Sequence, residues 1–313
     1  MDEKLDIIAI GESLVEFSTD LKMSIADNMQ KYYGGDALAA AVAAQRMGSN
    51  VGFITRVGND AFKEYLLESW RDEGLDTSQV KLANEPNGLY FIARSSLQDK
   101  EVAYYRRKIA PSKLSLEDIS QDYIKNSKAL YASGLMQSLS LSASEAVREA
   151  FKMAKQNGVI TAYDPNYFPQ ITSATEAKEA FESVISDIDV LFMSTKYDTV
   201  NFFEINSVEN IIKKIWDLGV STVVIKCAEK GGYYTGYNGN IVFTEFYTTD
   251  VLDTTSSGDA FNGGFLHALV TGLNPFESAK FASIVAGLQA KKIGAIKSIP
   301  FKNDVYAIYH GDN

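Results

Sequence analysis

Short apolar runs, each followed by a stretch with helical spacing, recur along this chain from Ile7-Ile8-Ala9-Ile10-Gly11 onward. A strand without a polar break has no side to turn to water, so it must be covered on both faces. Further runs of this kind are Val51–Val57, Leu130–Gly134, Val159–Tyr163, Val190–Ser194 and Thr222–Lys226. Helix patterns lie between them. Asp36–Met47 is alanine-rich and closed by Gly48, Ala61–Asp72 is closed by Gly74, and Ser207–Leu218 is closed by Gly219. Ser142-Ala143-Ser144-Glu145 reads as a capping box opening a helix to Asn157. Further helices are predicted over Thr175–Ser186 and Pro275–Lys291. This alternation predicts an α/β fold, a mostly parallel central sheet with helices on both faces.

Three stretches break the rhythm. Glu12–Lys31 lacks helical periodicity and reads as loop and short strands. Leu89–Arg94 and Glu101–Arg107, joined by the polar connection Ser95–Lys100, read as an aromatic-rich β-hairpin. Period two puts Tyr104 and Arg106 on one face and Tyr105 and Arg107 on the other. Such a hairpin is either a surface ribbon with solvated arginines or a lid over a ligand. Tyr233–Tyr237 and Ile241–Phe246 form a second hairpin about Asn238-Gly239, a strong two-residue turn signal. The fold is expected to end near Gly294-Ala295 and Ile299-Pro300.

Bulk properties narrow the function classes. With 313 residues, 46% of them hydrophobic, the chain can bury a large core, and no linker or repeat divides it. A net charge of −10 disfavours nucleic acid or an anionic membrane as partner. Cys227, the single cysteine, excludes an internal disulfide, fits a reducing cytoplasm and reads as a buried structural thiol. Two histidines and one cysteine do not make a typical zinc cage. The charged start Met1–Asp6 does not read as a secretory leader, and no apolar run has the length of a membrane helix.

The chemistry concentrates at Val251–Phe261. An apolar strand end is expected at Val251-Leu252, then a turn of small residues from Thr254 to Gly258, then a helix with Phe261, Phe265 and Leu269 on one face. Small residues before a helix leave its first N–H groups open, and with the helix dipole they form a seat for an anion. Asp259 stands at that rim, where a carboxylate would repel phosphate unless it takes a proton from an attacking hydroxyl. The plainer reading is a helix cap. Gly34-Gly35, before the alanine-rich helix, either turns the chain or lets its backbone approach something small. Asp164-Pro165-Asn166, at a strand's carboxyl end, is either turn chemistry or a site edge.

The run Asp253-Thr254-Thr255-x-x-Gly258-Asp259-Ala260-Phe261 resembles the C-terminal signature of the ribokinase-like (PfkB-type) carbohydrate kinases. The resemblance covers essentially the whole chain. It implies a single three-layer ribokinase-like domain over residues 1–313, with a small β-sheet lid from about 12–33 and 88–108. It implies that Asp259 is the catalytic base and that Ser256, Ser257 and Gly258 cradle the transferring phosphate. Sugar contacts are implied for Gly34, Gly35, Tyr90, Tyr104, Arg106 and Asn166. Nucleotide contacts are implied for Asn166, Ser194, Lys226, Gly231, Ser256 and Gly258. ATP and Mg²⁺ are the implied cofactors, with no residue assigned as a metal ligand, and a homodimer through the lid is a family-based expectation.

The chain also departs from the family pattern. Ser256-Ser257 stands where Gly-Ala is usual, Ala39 replaces the Asn of Gly-Gly-x-x-x-Asn, and Phe168 replaces the Arg of Asp-x-Asn-x-Arg. Ser194 and Tyr197 replace an Asn-x-x-Glu motif, with Asp198 a stand-in through water, and Ala228 replaces a glycine. Tyr90, Tyr104 and Arg106 match family members acting on 2-keto-3-deoxygluconate, and Arg106 has the planar fork that suits a carboxylate. That sugar acid is therefore the first expectation. Fructose or another ketose is the alternative that Phe168 favours. A sugar-binding or regulatory protein without turnover is the alternative of another class.

Overall fold

The computed structural model describes residues 4–94, 100–204 and 207–311. Strands β1 (Leu5–Ile10), β4 (Val51–Gly58), β5 (Val80–Ala83), β8 (Ser127–Ser133), β9 (Ile160–Asp164), β10 (Val190–Ser194), β11 (Thr222–Cys227), β12 (Gly232–Tyr237) and β13 (Asn240–Glu245) form one sheet. Its order is β13-β12-β11-β10-β9-β8-β1-β4-β5, parallel from β11 to β5, with β12 and β13 antiparallel at one edge. A second sheet holds β2 (Leu14–Thr19), β3 (Gln30–Gly34), β6 (Gly88–Arg94) and β7 (Lys100–Tyr105) in the order β3-β2-β6-β7. It is mixed: β2 and β6 run parallel and the other pairs antiparallel. This is a ribokinase-like α/β architecture. Most of the hairpin connection expected at Ser95–Lys100 lies outside the described residues.

The uninterrupted apolar strands are buried on both faces, as their sequence demands. Ile7 and Ala9 join the core under the helices Asp36–Met47, Ser257–Val270 and Pro275–Ala290, while Ile8 and Ile10 join the core under Leu141–Gln156, Ala174–Glu182 and Val208–Asp217. Val224 and its neighbours Val223 and Ile225 divide between the faces in the same way. The helix Ser257–Val270 lies between its two neighbours because Gly263 and Gly264 give no side chain there. A Cβ on Gly263 would come within 2.1 Å of the Ala40 carbonyl oxygen, and one on Gly264 within 2.9 Å of Val285. The small-residue face of Pro275–Ala290 is therefore helix packing, with Ala279, Ala282, Ser283, Ala286 and Ala290 all buried.

Several expectations need correction. The helix expected from Ser142 is capped two residues earlier by Ser140, whose hydroxyl accepts from the Ala143 amide, so Ser142–Glu145 is not its capping box. Val251 and Leu252 are exposed and form no strand; the chain reaches the signature turn as a loop, tied by the Leu252 and Asp253 amides to the Ala290 carbonyl. The helix expected to Ser186 stops at Glu182. The fold does not end at Pro300: a further helix, Lys302–His310, docks against the helix Pro275–Ala290. Among the described residues no helix is long and apolar enough to cross a membrane.

Candidate active site

Three neighbouring parallel strands deliver polar residues at their carboxyl ends: Asp164 on β9, Ser194 on β10 and Lys226 on β11. Open α/β sheets form their ligand crevices at this edge. Lys226 Nζ lies 2.5 Å from Asp164 Oδ2, and the Asn262 amide donates to the same oxygen at 2.7 Å. Burial works against the Lys226 charge, but the Asp164 carboxylate outweighs it and holds the lysine above its ordinary range. Beyond Asp164 the chain turns sharply. The Asn166 amide N–H donates to Asp164 Oδ1 at 3.0 Å, and Asn166 takes φ 45°, a left-handed conformation that asparagine tolerates.

That turn aims Asn166 at two more carboxylates. Its Nδ2 stands 3.3 Å from Asp36 Oδ2 and 3.3 Å from Asp259 Oδ1. Asp259 is therefore flanked by a second acid on the first turn of another helix. Burial, and then the Asp36 charge, push the Asp259 carboxyl well above the usual range, with Lys226 opposing. This is the tuning a carboxylate needs to act as a base near neutral pH. Ser256, just ahead of Asp259, sits at φ 59°. The family's glycine would hold that shape freely, whereas serine is strained by about 1–2 kcal/mol. Ser256 takes the left-handed conformation all the same, at that cost.

The opposite wall is aromatic. The Tyr90 and Tyr104 rings stack with centroids 5.8 Å apart, Tyr104 meets Phe168 edge-on at 6.5 Å, and Phe168 meets Tyr197 at 5.7 Å. Tyr90 donates its hydroxyl to the buried Glu16 carboxylate. Gly34 is what lets the Tyr90 ring lie there, since a Cβ at Gly34 would fall 2.4 Å from the Tyr90 oxygen. Arg106 is buried behind this wall in a two-point ion pair with Glu12, at 2.6 and 3.2 Å.

A cavity of about 740 Å³ joins the two walls. Of the residues singled out from the sequence, it brings together Gly35, Tyr90, Tyr104, Asn166, Ser194, Lys226, Ser256, Gly258 and Asp259. Gly34, Arg106, Gly231 and Ser257 do not line it. Arg106 faces a neighbouring cavity of about 810 Å³ that shares Tyr104 with the first. Gly231 closes a short turn after β11 at φ 69°. The Ser257 hydroxyl donates back to the Thr254 carbonyl at 3.0 Å. Asp198 is not free to hold a water-bound ion as expected. Its oxygens accept from the Tyr167 and Ser194 amides and the Ser194 hydroxyl, and burial pushes its carboxyl to about 6.

Sequence reading passed over Asp36, Glu12 and Asn262. Asp36 was read only as the start of a helix. A carboxylate directly after a glycine pair, leading a run of apolar residues from Ala37 to Ala44, is a signal in itself. Glu12 and Arg106 are too far apart in the chain for a pattern search to pair them. Among the described residues no group of three or more acidic, histidine or cysteine side chains is placed to hold a metal ion.

Comparison with known proteins agrees with this geometry. Residues 4–302 match the family described as pfkB family carbohydrate kinase. The chain is 28% identical over 307 residues to a 5-dehydro-2-deoxygluconokinase of Clostridium beijerinckii, covering 95% of this chain and 90% of that one. It is also 28% identical over 301 residues to a 2-dehydro-3-deoxygluconokinase of Thermoproteus tenax, covering 95% and 91%. Its fold is that of a ribokinase II from E. coli solved with ATP and Mg²⁺, with a TM-score of 0.89 at 20% identity over 99% of this chain and 100% of that one. A fructokinase from Xylella fastidiosa with bound ATP superposes with a TM-score of 0.86 at 20% identity, over 99% of both chains. A match spanning nearly the whole chain leaves one conclusion: it belongs to the pfkB family of carbohydrate kinases, and it is a sugar kinase, a phosphotransferase.

Proposed function

We propose that this protein moves the terminal phosphoryl group of ATP to a primary hydroxyl of a small sugar acid, taken as 2-keto-3-deoxygluconate on the pattern of Tyr90, Tyr104 and Arg106. The observation that carries the reading is Asp259. It stands at an open helix N-terminus with Asn166 3.3 Å from its carboxylate, in a cavity walled by Tyr90 and Tyr104. In the step, the hydroxyl oxygen forms a bond to phosphorus as the bond to the ADP oxygen breaks. The electron pair leaves with ADP and the hydroxyl proton passes to Asp259. Helix N-terminal amides at Gly258 and Asp259 receive the phosphoryl oxygens. The Tyr90–Tyr104 sheet covers the sugar and keeps out water, which would otherwise take the phosphoryl.

Among the described residues there is no cage for Mg²⁺, so an ion bound with the nucleotide would face the cavity's separate carboxylates, Asp36 and Asp259 among them. Bound there, it would neutralise phosphate charge. A relative named for 2-dehydro-3-deoxygluconate supports that acid, and one named for 5-dehydro-2-deoxygluconate supports the class of deoxy keto-sugar acids. A neutral ketose such as fructose is the second reading. Phe168 stands where a carboxylate-binding arginine is usual, and Arg106 is already held by Glu12. The same proposal includes pairing of two copies through the small sheet, whose Tyr105 is 63% exposed.

A coupled ADP-release assay over keto-deoxy sugar acids and ketoses tests the substrate. The acid is expected to give the highest kcat/KM. A higher value for fructose would install the second reading, and no release above buffer with any sugar would leave only a binding protein.

A further inference from the structure

The cavity's charges are unevenly committed. Glu12, Asp36, Asp164, Asp198 and Asp259 line it, against the cations Lys100, Lys196 and Lys226. Lys226 is matched by Asp164 at 2.5 Å, and Lys196 rests 4.9 Å over the Tyr197 ring. The cations just outside are matched too, Arg106 by Glu12 and Arg94 by Asp253 at 2.9 Å. Lys100 differs. Its ammonium, carried on β7 of the small sheet, donates at 2.6 Å to a neutral group, the Thr255 hydroxyl. Thr255 lies in the signature turn, two residues ahead of the helix Ser257–Val270.

Arg94, at the end of β6, holds that same turn. Its Nη2 is 3.4 Å from the Thr255 hydroxyl and its Nη1 3.2 Å from the Ser18 hydroxyl. Asp253, its partner, in turn accepts from the Thr255 amide at 3.0 Å and the Gly294 amide at 3.1 Å. The small sheet thus reaches the phosphate turn with two cations, Arg94 ion-paired to Asp253 and spent on shaping the turn, and Lys100 bonded to a neutral hydroxyl with the Asp253 and Glu16 carboxylates only nearby.

We infer that Lys100 is a further catalytic residue, which moves from the Thr255 hydroxyl onto the terminal phosphoryl group during transfer, while Arg94 positions the turn that receives it. This rests on the phosphoryl-transfer reading above. A phosphoryl group between two alcohol oxygens spreads negative charge over its outer oxygens, and Asp259 adds a carboxylate beside it. A fixed cation offsets that charge most where water is excluded. Lys100 rides on the sheet that carries Tyr90 and Tyr104, so the element that walls the sugar cavity also brings the cation to the turn.

The test compares Lys100→Met, Lys100→Arg and the parent protein with the best sugar from the panel. Binding of MgADP with aluminium fluoride and that sugar is measured alongside turnover. Lys100→Met should lower kcat about 100-fold, weaken the aluminium fluoride complex by a similar factor, and leave ATP affinity and melting temperature unchanged. Lys100→Arg, which keeps the charge, should recover most of the loss. A kcat within about threefold of the parent, or equal loss of ATP affinity, would overturn the assignment. Absence of transfer by the parent would remove the kinase reading and the role of Lys100 together. A normal parent with an unaffected Lys100→Met removes only the latter.

Discussion

The two ends of the cavity are built in different ways. The end proposed for the phosphoryl group is centred on one contiguous stretch, Asp253–Phe261, a left-handed turn at Ser256 and a helix N-terminus, with Asn166, Arg94 and Lys100 reaching it from other elements. The sugar end is assembled from side chains on separate elements: Asp36 from one helix, Tyr90 and Tyr104 from the small sheet, and Phe168 from the loop after β9. Backbone geometry set by a local run tolerates side-chain drift, and Ser256 keeps the turn at the cost of some strain. A wall of side chains does not. Phe168 lines the cavity where the family pattern has an arginine, and Ala39, outside the lining, stands where it has an asparagine; neither disturbs the fold, so the proposed chemistry rests on firmer ground than the proposed substrate.

That contrast can be broken at Asp259. Asp259→Asn keeps the size and the Asn166 contact but cannot take a proton. We expect kcat to fall about a thousandfold with the sugar's Kd nearly unchanged, measured by turnover and by calorimetric titration. Equal loss of sugar affinity would mean that the two ends are not separable. At the sugar end the informative variant is Arg106→Lys. Arg106→Ala would leave Glu12 buried without a partner and cost about 3–5 kcal/mol of stability, which obscures any substrate effect. Lysine keeps the charge and loses the fork. Because Arg106 is held on Glu12 outside the cavity lining, KM for both sugar acids and ketoses should stay within about threefold, whereas a rise of about tenfold for acids alone, the value of one lost charge-assisted hydrogen bond, would bring Arg106 onto the substrate. An equal rise for both would place Arg106 in the wall rather than on the substrate.

Asp36 joins the two ends, and a pH profile sharpens its role. Asp259 must be ionised to act, and burial together with the Asp36 charge holds its carboxyl up, so activity should rise with pH through that raised value. Asp36→Asn removes the neighbouring negative charge and lowers the Asp259 pKa. The acid limb of kcat should therefore move to lower pH. An unmoved limb would assign the titration to another group.

How far the sequence could be read follows the same division. Strands with apolar residues on both faces announced the parallel sheet, because Val223, Val224 and Ile225 leave no side for water. The signature run announced a turn of small residues opening a helix, because it is local. Pairings across long separations stayed hidden: Glu12 with Arg106, Asp164 with Lys226 and Asn262, Arg94 with Asp253. Arg106, Asp164, Lys226 and Asp253 each stand out alone in the sequence, but nothing in their order along the chain pairs them. Ser140 outcompeted the better-looking Ser142 box because its hydroxyl also bonds the Ser112 carbonyl at 2.7 Å, a contact from outside the helix. The helix Lys302–His310 was missed because Pro300 reads as a stop, while what holds the helix is tertiary.

Part of that tertiary hold is His267, near the far end of the helix that begins at the phosphoryl seat. Its Nδ1 lies 2.8 Å from the Ser49 hydroxyl and its Nε2 2.8 Å from the Tyr306 hydroxyl of the last helix. Both partners are hydroxyls that can accept as well as donate, so protonating the ring does not break these bonds. The penalty is burial of the charge, which brings His267 down to about 4, with nearby Asp6 opposing. In the unfolded chain the ring takes its proton near pH 6.5. Stability from this group is therefore fully present above about pH 6.5 and is lost as pH falls toward 4, by about 3 kcal/mol in all. Denaturant melts of the parent and of His267→Gln across that range read the effect. The glutamine variant should lose much of the slope, while its kcat at neutral pH stays within about threefold if the seat is held by its own turn and the neighbouring helices. A large kcat loss would mean that the phosphoryl end is not as local as its contiguous sequence suggests.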